Sequence, residues 1–266
     1  MTPIPGPLVL LAFLLLAAVV TYLVRRWAML AALLSAATAG VLALLCLRLP
    51  LDRSAFVLGR EVGFGRPIVI VGRELVLDPA GQLWLGFIFA VAAVLYLFAW
   101  RLPQGRFFFP FSLAILSLYS LVTLLQSFSL AVLAFAISVT LAVFIIQRAD
   151  GTAVRGAQRY LVVTLLAVPL LLVAAWLVDR SLLAPESAAM ARRALLPAIL
   201  GFGLLLTVFP FGTWMPALAT EAPPIVTAFV FVAGQAMALF LVLVFSRIAP
   251  WMLDDPAMIA VIQLVG

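Results

Sequence analysis

The chain has 266 residues, of which 67% are hydrophobic and only 10% are charged. Because soluble domains carry about 25% charged residues, this composition excludes a soluble globular protein and indicates an integral membrane protein. The net charge of +6 comes from 16 arginines and 10 acidic residues, since the chain has no lysine and no histidine.

The residue types needed for most metal and nucleophilic chemistry are missing. Transition-metal and haem sites use imidazole and thiolate ligands, but the chain has no histidine and a single cysteine, Cys46. A Ser-His-Asp arrangement is impossible for the same reason. The arginines flank apolar runs and do not alternate with aromatic residues, which argues against nucleic-acid binding. We therefore expect no catalytic residue, no metal, no cofactor and no nucleic-acid partner.

Long apolar runs divide the chain into membrane-spanning segments, because about 20 apolar residues cross the hydrocarbon core as a helix. The sequence predicts eight spans: 8–24, 28–47, 81–100, 107–126, 129–147, 160–178, 194–215 and 223–246. All charged residues lie between these runs. We expect the first run to be a retained helix rather than a signal peptide, since Arg25 and Arg26 follow it and no charge precedes it.

These spans predict an all-α membrane protein with one membrane domain over residues 1–247. The remaining tail, 248–266, contains an apolar piece at 256–265 that is too short to cross a bilayer. It forms either a half-helix or an interfacial segment.

The distribution of arginine predicts the orientation. Four connections fall on one side of the membrane: 25–27, 101–106, 148–159 and 216–222. They carry seven arginines against two acids, whereas the opposite side carries nine arginines and eight acids. Short cytoplasmic loops are enriched in Lys and Arg. We therefore expect this side to be cytoplasmic and the N-terminus to lie outside.

The longest connection, 48–80, is predicted to hold a short β-hairpin on the outer face. The β-branched run from Ile68 to Val71 and the strand-like run from Glu74 to Leu77 flank Gly72-Arg73, where we expect the turn.

Prolines interrupt the seventh span and the start of the eighth. Pro210 and Pro216 each remove a backbone donor, which predicts two breaks in the helix, with Gly212 and Trp214 between them. Pro223 lies where proline is tolerated, at the start of the next helix. Broken helices in membranes occur where the backbone is buried in protein or lines a water-filled cavity, and they often mark transport pathways.

This stretch resembles the antiporter-like proton-channel subunits of respiratory complex I, of multisubunit sodium/proton antiporters and of membrane-bound hydrogenases. The residues that match their broken seventh helix are Gly201, Phe202, Phe209, Pro210, Trp214, Pro216, Ala217, Ala222, Pro223, Val226, Thr227 and Ala228. Leu77-Asp78, before the third span, also matches. The resemblance covers roughly residues 1–247, and it implies three helices at 8–100 followed by an antiporter-like five-helix unit at 107–246.

The family's ionisable channel residues are absent from this chain. The positions that the resemblance assigns to a glutamate on the fifth helix and a lysine on the seventh are Ala136 and Leu205, and the base on the eighth falls at Ala236, beside Gln235. Gly212 stands in place of a histidine. The family's second half is missing too.

Glu221 is the remaining acid at the edge of the bilayer. The dipole of a helix starting at Ala222 is a sufficient structural reason for an acid there. A use in transport is the alternative.

The resemblance implies a membrane-arm subunit of a larger, complex I-related assembly in a bacterial or archaeal cytoplasmic membrane, with other membrane subunits and lipid as partners. Because the channel residues are missing, we expect a structural or coupling role and a non-catalytic subunit. One alternative is that it conducts protons or cations through water and polar residues along the broken helix. An intramembrane hydrolase or lipid transferase is a third hypothesis, which the missing histidine and the uncharged spans oppose.

Overall fold

The computed structural model describes residues 4–48, 54–57, 60–63, 68–70, 72–102, 104–147, 154–181, 187–208 and 211–251. Its helices are α1 Gly6–Leu23, α2 Ala28–Arg48, α3 Pro79–Ala99, α4 Phe108–Leu124, α5 Phe128–Ile146, α6 Val154–Ser181, α7 Ser187–Leu205, α8 Trp214–Glu221, α9 Pro224–Phe229 and α10 Gln235–Ile248. A 3₁₀ turn, Phe211–Thr213, precedes α8, and a π-helical turn, Val230–Gly234, joins α9 to α10.

The mostly helical chain confirms the expected class of an all-α membrane protein. Six helices in the described part are long and apolar enough to cross a bilayer: Gly6–Leu23, Ala28–Arg48, Pro79–Ala99, Phe128–Ile146, Arg155–Ser181 and Pro224–Ile248. The predicted span 107–126 corresponds to the shorter α4, which has 17 residues. The predicted span 194–215 is divided, because α7 ends at Leu205 and α8 begins at Trp214.

Short strands pair near the N-terminus and in the connection between α2 and α3. Strands β4 (Ile68–Ile70) and β5 (Arg73–Leu75) are antiparallel, with Gly72 at φ +72° between them. Arg73, which the sequence places in the turn, is instead the first residue of β5 and pairs with Ile70. A three-stranded sheet that the sequence did not predict has β3 (Arg60–Gly63) at its centre. It pairs with β1 (Ile4–Pro5) in parallel and with β2 (Ser54–Val57) in antiparallel orientation.

Contacts between helix termini define one end of the bundle, here called the hairpin end. The Val76 amide donates to the Leu124 carbonyl oxygen (3.0 Å), which attaches β5 to the end of α4. Asp78 caps α3 by accepting from the Gly81 amide (2.8 Å). Its other oxygen pairs with Arg247, in the last turn of α10, at 2.7 Å.

The opposite end of the bundle, here called the break end, is where α8 ends, with Glu221 bonded to the start of α6. Tyr96, near the end of α3, donates to Ser112 Oγ near the start of α4 at 2.8 Å. The rings of Phe111 in α4 and Phe144 near the end of α5 stack with centroids 5.4 Å apart. Every charged residue of the described helices lies within two turns of a helix terminus. The middle of the bundle is therefore uncharged over the residues described.

Candidate functional site at the interrupted helix

The interruption begins where α7 ends and is shaped by the backbone around Thr207. The Leu206 amide still donates to the Phe202 carbonyl oxygen, but the Val208 amide reaches back to Gly203 at 3.0 Å. Thr207 takes φ +57°, a left-handed conformation that costs a non-glycine residue about 1–2 kcal/mol. The break is therefore a defined, strained turn and no frayed helix end.

Gly212 is required by the close approach of the two backbone segments. A Cβ atom at this position would lie 2.9 Å from the Thr207 carbonyl oxygen, closer than real Cβ contacts come. The Phe211 amide donates to the Val208 carbonyl oxygen at 2.7 Å and starts the 3₁₀ turn that leads into α8. Pro210, which the sequence singles out as the first breaker, lies outside the described residues.

Gln235, on the neighbouring helix α10, bonds to the backbone at the end of α7. Its Nε2 donates to the Leu205 carbonyl oxygen at 3.1 Å. The last carbonyls of a helix have no intrahelical partner and need one from elsewhere when they are buried. The structure thus brings together two of the predicted channel positions, Leu205 and Gln235, as a neutral amide and the backbone that it caps.

The other two channel positions have backbone roles. Ala236 is buried, and its carbonyl oxygen accepts from Trp84 Nε1 on α3 at 2.8 Å. Ala136 is half-buried on α5, and its carbonyl oxygen accepts from Thr140 Oγ1 at 2.9 Å. The sequence predicts neither the contact from Trp84 nor the π-helical turn next to Ala236. Gly234, a glycine inside the predicted eighth span, is the residue that could have pointed to the turn.

Trp214 is the buried anchor of α8. Its ring is 1% exposed and contacts Tyr160 of α6 and Phe231 of the π-helical turn, with centroids 5.1 and 5.8 Å apart. The indole N–H finds no acceptor among the residues described. A buried, unpaired donor costs about 1–3 kcal/mol, and proteins commonly satisfy such groups with a buried water molecule.

The second predicted break is wrong in its position. Pro216 is the third residue of α8 and does not interrupt it, because the first turn of a helix needs no backbone donor there. The chain turns instead at Ala222 and Pro223, both extended, and α9 starts with Pro224 in its first position. Proline is tolerated at this place, and Pro223, which the sequence puts at the start of the helix, immediately precedes it.

Glu221 serves a different helix from the one that the sequence suggested. Its Oε2 accepts from the Gly156 amide in the first turn of α6 at 2.7 Å. The carboxylate therefore neutralises the N-terminus of α6, where an acid is stabilising, and α9 does not begin until Pro224. Gly156 permits this contact, since a Cβ there would lie 3.1 Å from the Ala217 carbonyl oxygen.

The polar groups around the break are neutral over the described part of the chain. Besides Gln235 and Trp214 there is Thr207, whose hydroxyl donates to the Leu206 carbonyl oxygen and lies 3.5 Å from Met215 Sδ. No group of three or more acidic or cysteine residues that could hold a metal ion occurs in the ranges described. Such a site can hold water and cap backbone groups, but its side chains offer no base for proton transfer.

Comparison with solved structures shows where this fold occurs. The chain is similar to a chain in the structure of respiratory complex I from Thermus thermophilus with bound aureothin. The TM-score is 0.65 at 19% identity, over 88% of this chain and 52% of that one. It is equally similar to a chain of the membrane-bound sulfane sulfur reductase, an archaeal respiratory membrane complex. The TM-score there is 0.65 at 15% identity, over 88% and 51% of the two chains.

The chain therefore has the fold of subunits found in respiratory membrane complexes, and it spans about half the length of both. No protein-family model and no curated protein matches the sequence. At these identities the likeness establishes the fold, which agrees at that level with the resemblance seen in the sequence.

Proposed function

We propose that this chain is a membrane-arm subunit of a larger, complex I-related assembly that moves protons or sodium. In that assembly it has a structural or coupling role and carries no ions itself. Its fold and the multisubunit nature of the two similar complexes support the first part of this proposal. The second part depends on the chemistry at the break.

The observation that supports a structural or coupling role is the hydrogen bond from the Gln235 side chain to the Leu205 carbonyl oxygen. A proton relay inside a membrane needs groups that gain and lose protons, and charged residues within spans are rare and functional. The position that the resemblance assigns to a lysine is Leu205, whose side chain is 3% exposed and whose carbonyl oxygen is held by an amide. An amide that serves as a backbone cap stabilises the broken helix without carrying charge.

The assembly is tested by purification from the native membrane. An affinity-tagged full-length chain, extracted in a mild detergent, is expected to bring down other integral subunits in fixed stoichiometry, identified by mass spectrometry. Recovery of the tagged chain alone, under conditions that keep other respiratory complexes intact, would contradict the proposal.

A second candidate function is conduction through water bound at the break. The unpaired indole N–H of Trp214, next to the neutral polar groups of Thr207 and Gln235, is the observation that favours it. Water that is held by such groups could carry protons without a titratable side chain.

Proton flux into liposomes separates the two functions. With a pH-sensitive dye and an imposed potential, liposomes with the purified chain are expected to match empty liposomes. Flux above that level, abolished by Gln235→Leu and kept by the exposed variant Gln126→Leu, would establish conduction and refute the coupling role.

A further inference from the structure

Two arginines stack on aromatic rings in the loops at the break end, Arg25 after α1 and Arg101 after α3, and are here called the arginine cluster. The guanidinium of Arg25, after α1, lies 4.0 Å from the ring centroid of Tyr22 and 5.3 Å from that of Phe107. Those two rings stack on each other at 6.5 Å, which joins the end of α1 to the start of α4. Arg101, after α3, lies 4.6 Å from the ring of Trp100.

The loops that carry this cluster contain cations and no acids. Arg25 and Arg26 occupy the connection between α1 and α2, and Arg101 and Arg106 the one between α3 and α4; residues 1–51 and 79–149 include no aspartate or glutamate. The acid of the break end in the described chain, Glu221, is bonded to the start of α6. A surface of one sign of charge attracts counter-ions or ligands of the opposite sign.

Arg25 lacks an acceptor that its position demands. The residue is half-buried, its Nη1 is inaccessible to solvent, and no oxygen among the described residues accepts from it. Aromatic faces attract the positive charge but do not replace a hydrogen-bond acceptor. In the neighbouring loop Gln104, which is also buried, has an Oε1 atom with no donor. Both of these buried atoms lack a hydrogen-bond partner within the described part of the chain.

The surroundings of the cluster are those of a bilayer interface. Trp27, Trp100 and Phe107 are exposed beside the arginines, and Leu23 is 73% exposed where α1 ends. Tryptophan and other amphipathic rings concentrate at the level of lipid headgroups, while apolar helix faces below them contact acyl chains. A ligand that meets this surface has a charged head at the cluster and apolar tails along the helices.

We propose that the arginine cluster around Arg25 and Arg101 is a binding site for the headgroup of an anionic phospholipid. The phosphodiester oxygens accept from accessible guanidinium nitrogens, a charge-assisted pairing that arginine favours. Basic pockets between transmembrane helices are known to bind such headgroups.

The test measures lipid retained by the full-length chain in nanodiscs. Equal amounts of dioleoyl phosphatidylglycerol and dioleoyl phosphatidylcholine are supplied, and the lipids that remain bound after transfer to detergent are counted by native mass spectrometry. The wild-type chain is expected to retain the anionic lipid preferentially, and Arg25→Gln to reduce that preference about fivefold. Inorganic phosphate added in excess is not expected to displace the lipid, which distinguishes a lipid site from a free-anion site.

Arg180→Gln is the matched control, because Arg180 also stacks on an aromatic ring, that of Trp176 at 5.1 Å, but at the hairpin end. It should leave the preference unchanged. Arg25→Lys keeps the charge and stem but not the fork, and an intermediate preference is expected from it. Arg101→Gln tests the same site should Arg25→Gln not fold. Equal retention of both lipids by the wild-type chain, or an equal loss in Arg180→Gln, would overturn the proposal.

Discussion

Gln235 connects two backbone segments that the interrupted helix would otherwise leave apart. The Leu205 carbonyl oxygen that it caps is buried in an apolar bundle, where an unpaired carbonyl is costly. Leu205 is the position that the resemblance assigns to a lysine, and Gln235 is next to Ala236, where the resemblance places a base. The hydrogen bond between the neutral Gln235 side chain and the Leu205 backbone explains why Gln235 is there without any role in ion transfer.

Replacement of this amide should destabilise the protein. Gln235→Leu leaves the Leu205 carbonyl oxygen without a donor, and we expect a loss of about 1–3 kcal/mol in the free energy of unfolding. Thermal unfolding of the purified chain in detergent measures it. Gln126→Leu is the control, since Gln126 Nε2 lies 3.5 Å from the Val76 carbonyl oxygen in an exposed position and should contribute little. Equal Tm values for the two variants would contradict the capping role.

Three contacts fix the segment between α7 and the end of α8: one close approach of two backbone segments and two side-chain contacts. Gly212 lets the 3₁₀ turn pass the Thr207 carbonyl oxygen, Trp214 fills the space beside Tyr160, and Glu221 fastens the other end of α8 to α6. Each contact lies on a different part of the segment 207–221. The short α8 is therefore fixed at both of its ends.

A methyl group at Gly212 should displace this segment. The Cβ of Gly212→Ala would approach a backbone oxygen, which cannot move aside as a side chain can, and we expect a loss of about 1–3 kcal/mol. Gly203→Ala is the matched control in α7. Its Cβ would meet the Phe211 ring at an ordinary 3.5 Å, and alanine favours the helix. Tm should fall in the first variant and stay or rise in the second; the reverse order would refute the close approach.

Glu221 should control the stability of the first turn of α6. Glu221→Ala removes the acceptor of the Gly156 amide, and we expect about 1 kcal/mol less protection of this turn. Hydrogen exchange followed by mass spectrometry measures that protection. Glu221→Gln keeps an acceptor oxygen and should show a smaller effect. Unchanged exchange in Glu221→Ala would show that the carboxylate does not cap α6.

The distribution of arginine predicts that the hairpin end of the molecule faces the outside of the membrane. Gly72 and Gly105 form a matched pair of reporters at the two ends. Both have positive φ, +72° and +82°, and a Cβ at either would meet no atom within 4 Å. Thiols placed at the two sites carry similar strain and lie in open space.

We therefore expect a membrane-impermeant maleimide to label Gly72→Cys but not Gly105→Cys in intact cells, with Cys46 replaced by alanine in both. After the cells are broken, both variants should react. If only Gly105→Cys were labelled before lysis, the break end would face outside and the predicted orientation would be wrong.

Much of this molecule could be predicted because the signals are local. An uncharged run of about 20 residues specifies a spanning helix whatever lies around it, since the hydrocarbon core penalises each charge and each unpaired backbone group separately. The turn at Gly72 and the start of α9 at Pro224 follow likewise from the conformations of single residues. Pro216 misled the prediction, because a proline breaks a helix only beyond its first turn.

The amino-acid sequence is enough to establish the membrane class, the placement of charge at helix ends and the absence of histidine and lysine from the whole chain. Which groups satisfy the backbone of the interrupted helix depends on how the helices pack. The bonds from Gln235 to Leu205, from Gly156 to Glu221 and from Trp84 to Ala236 join residues that are 30, 65 and 152 positions apart. A partner so distant is chosen by helix packing, and no local pattern of residues encodes it.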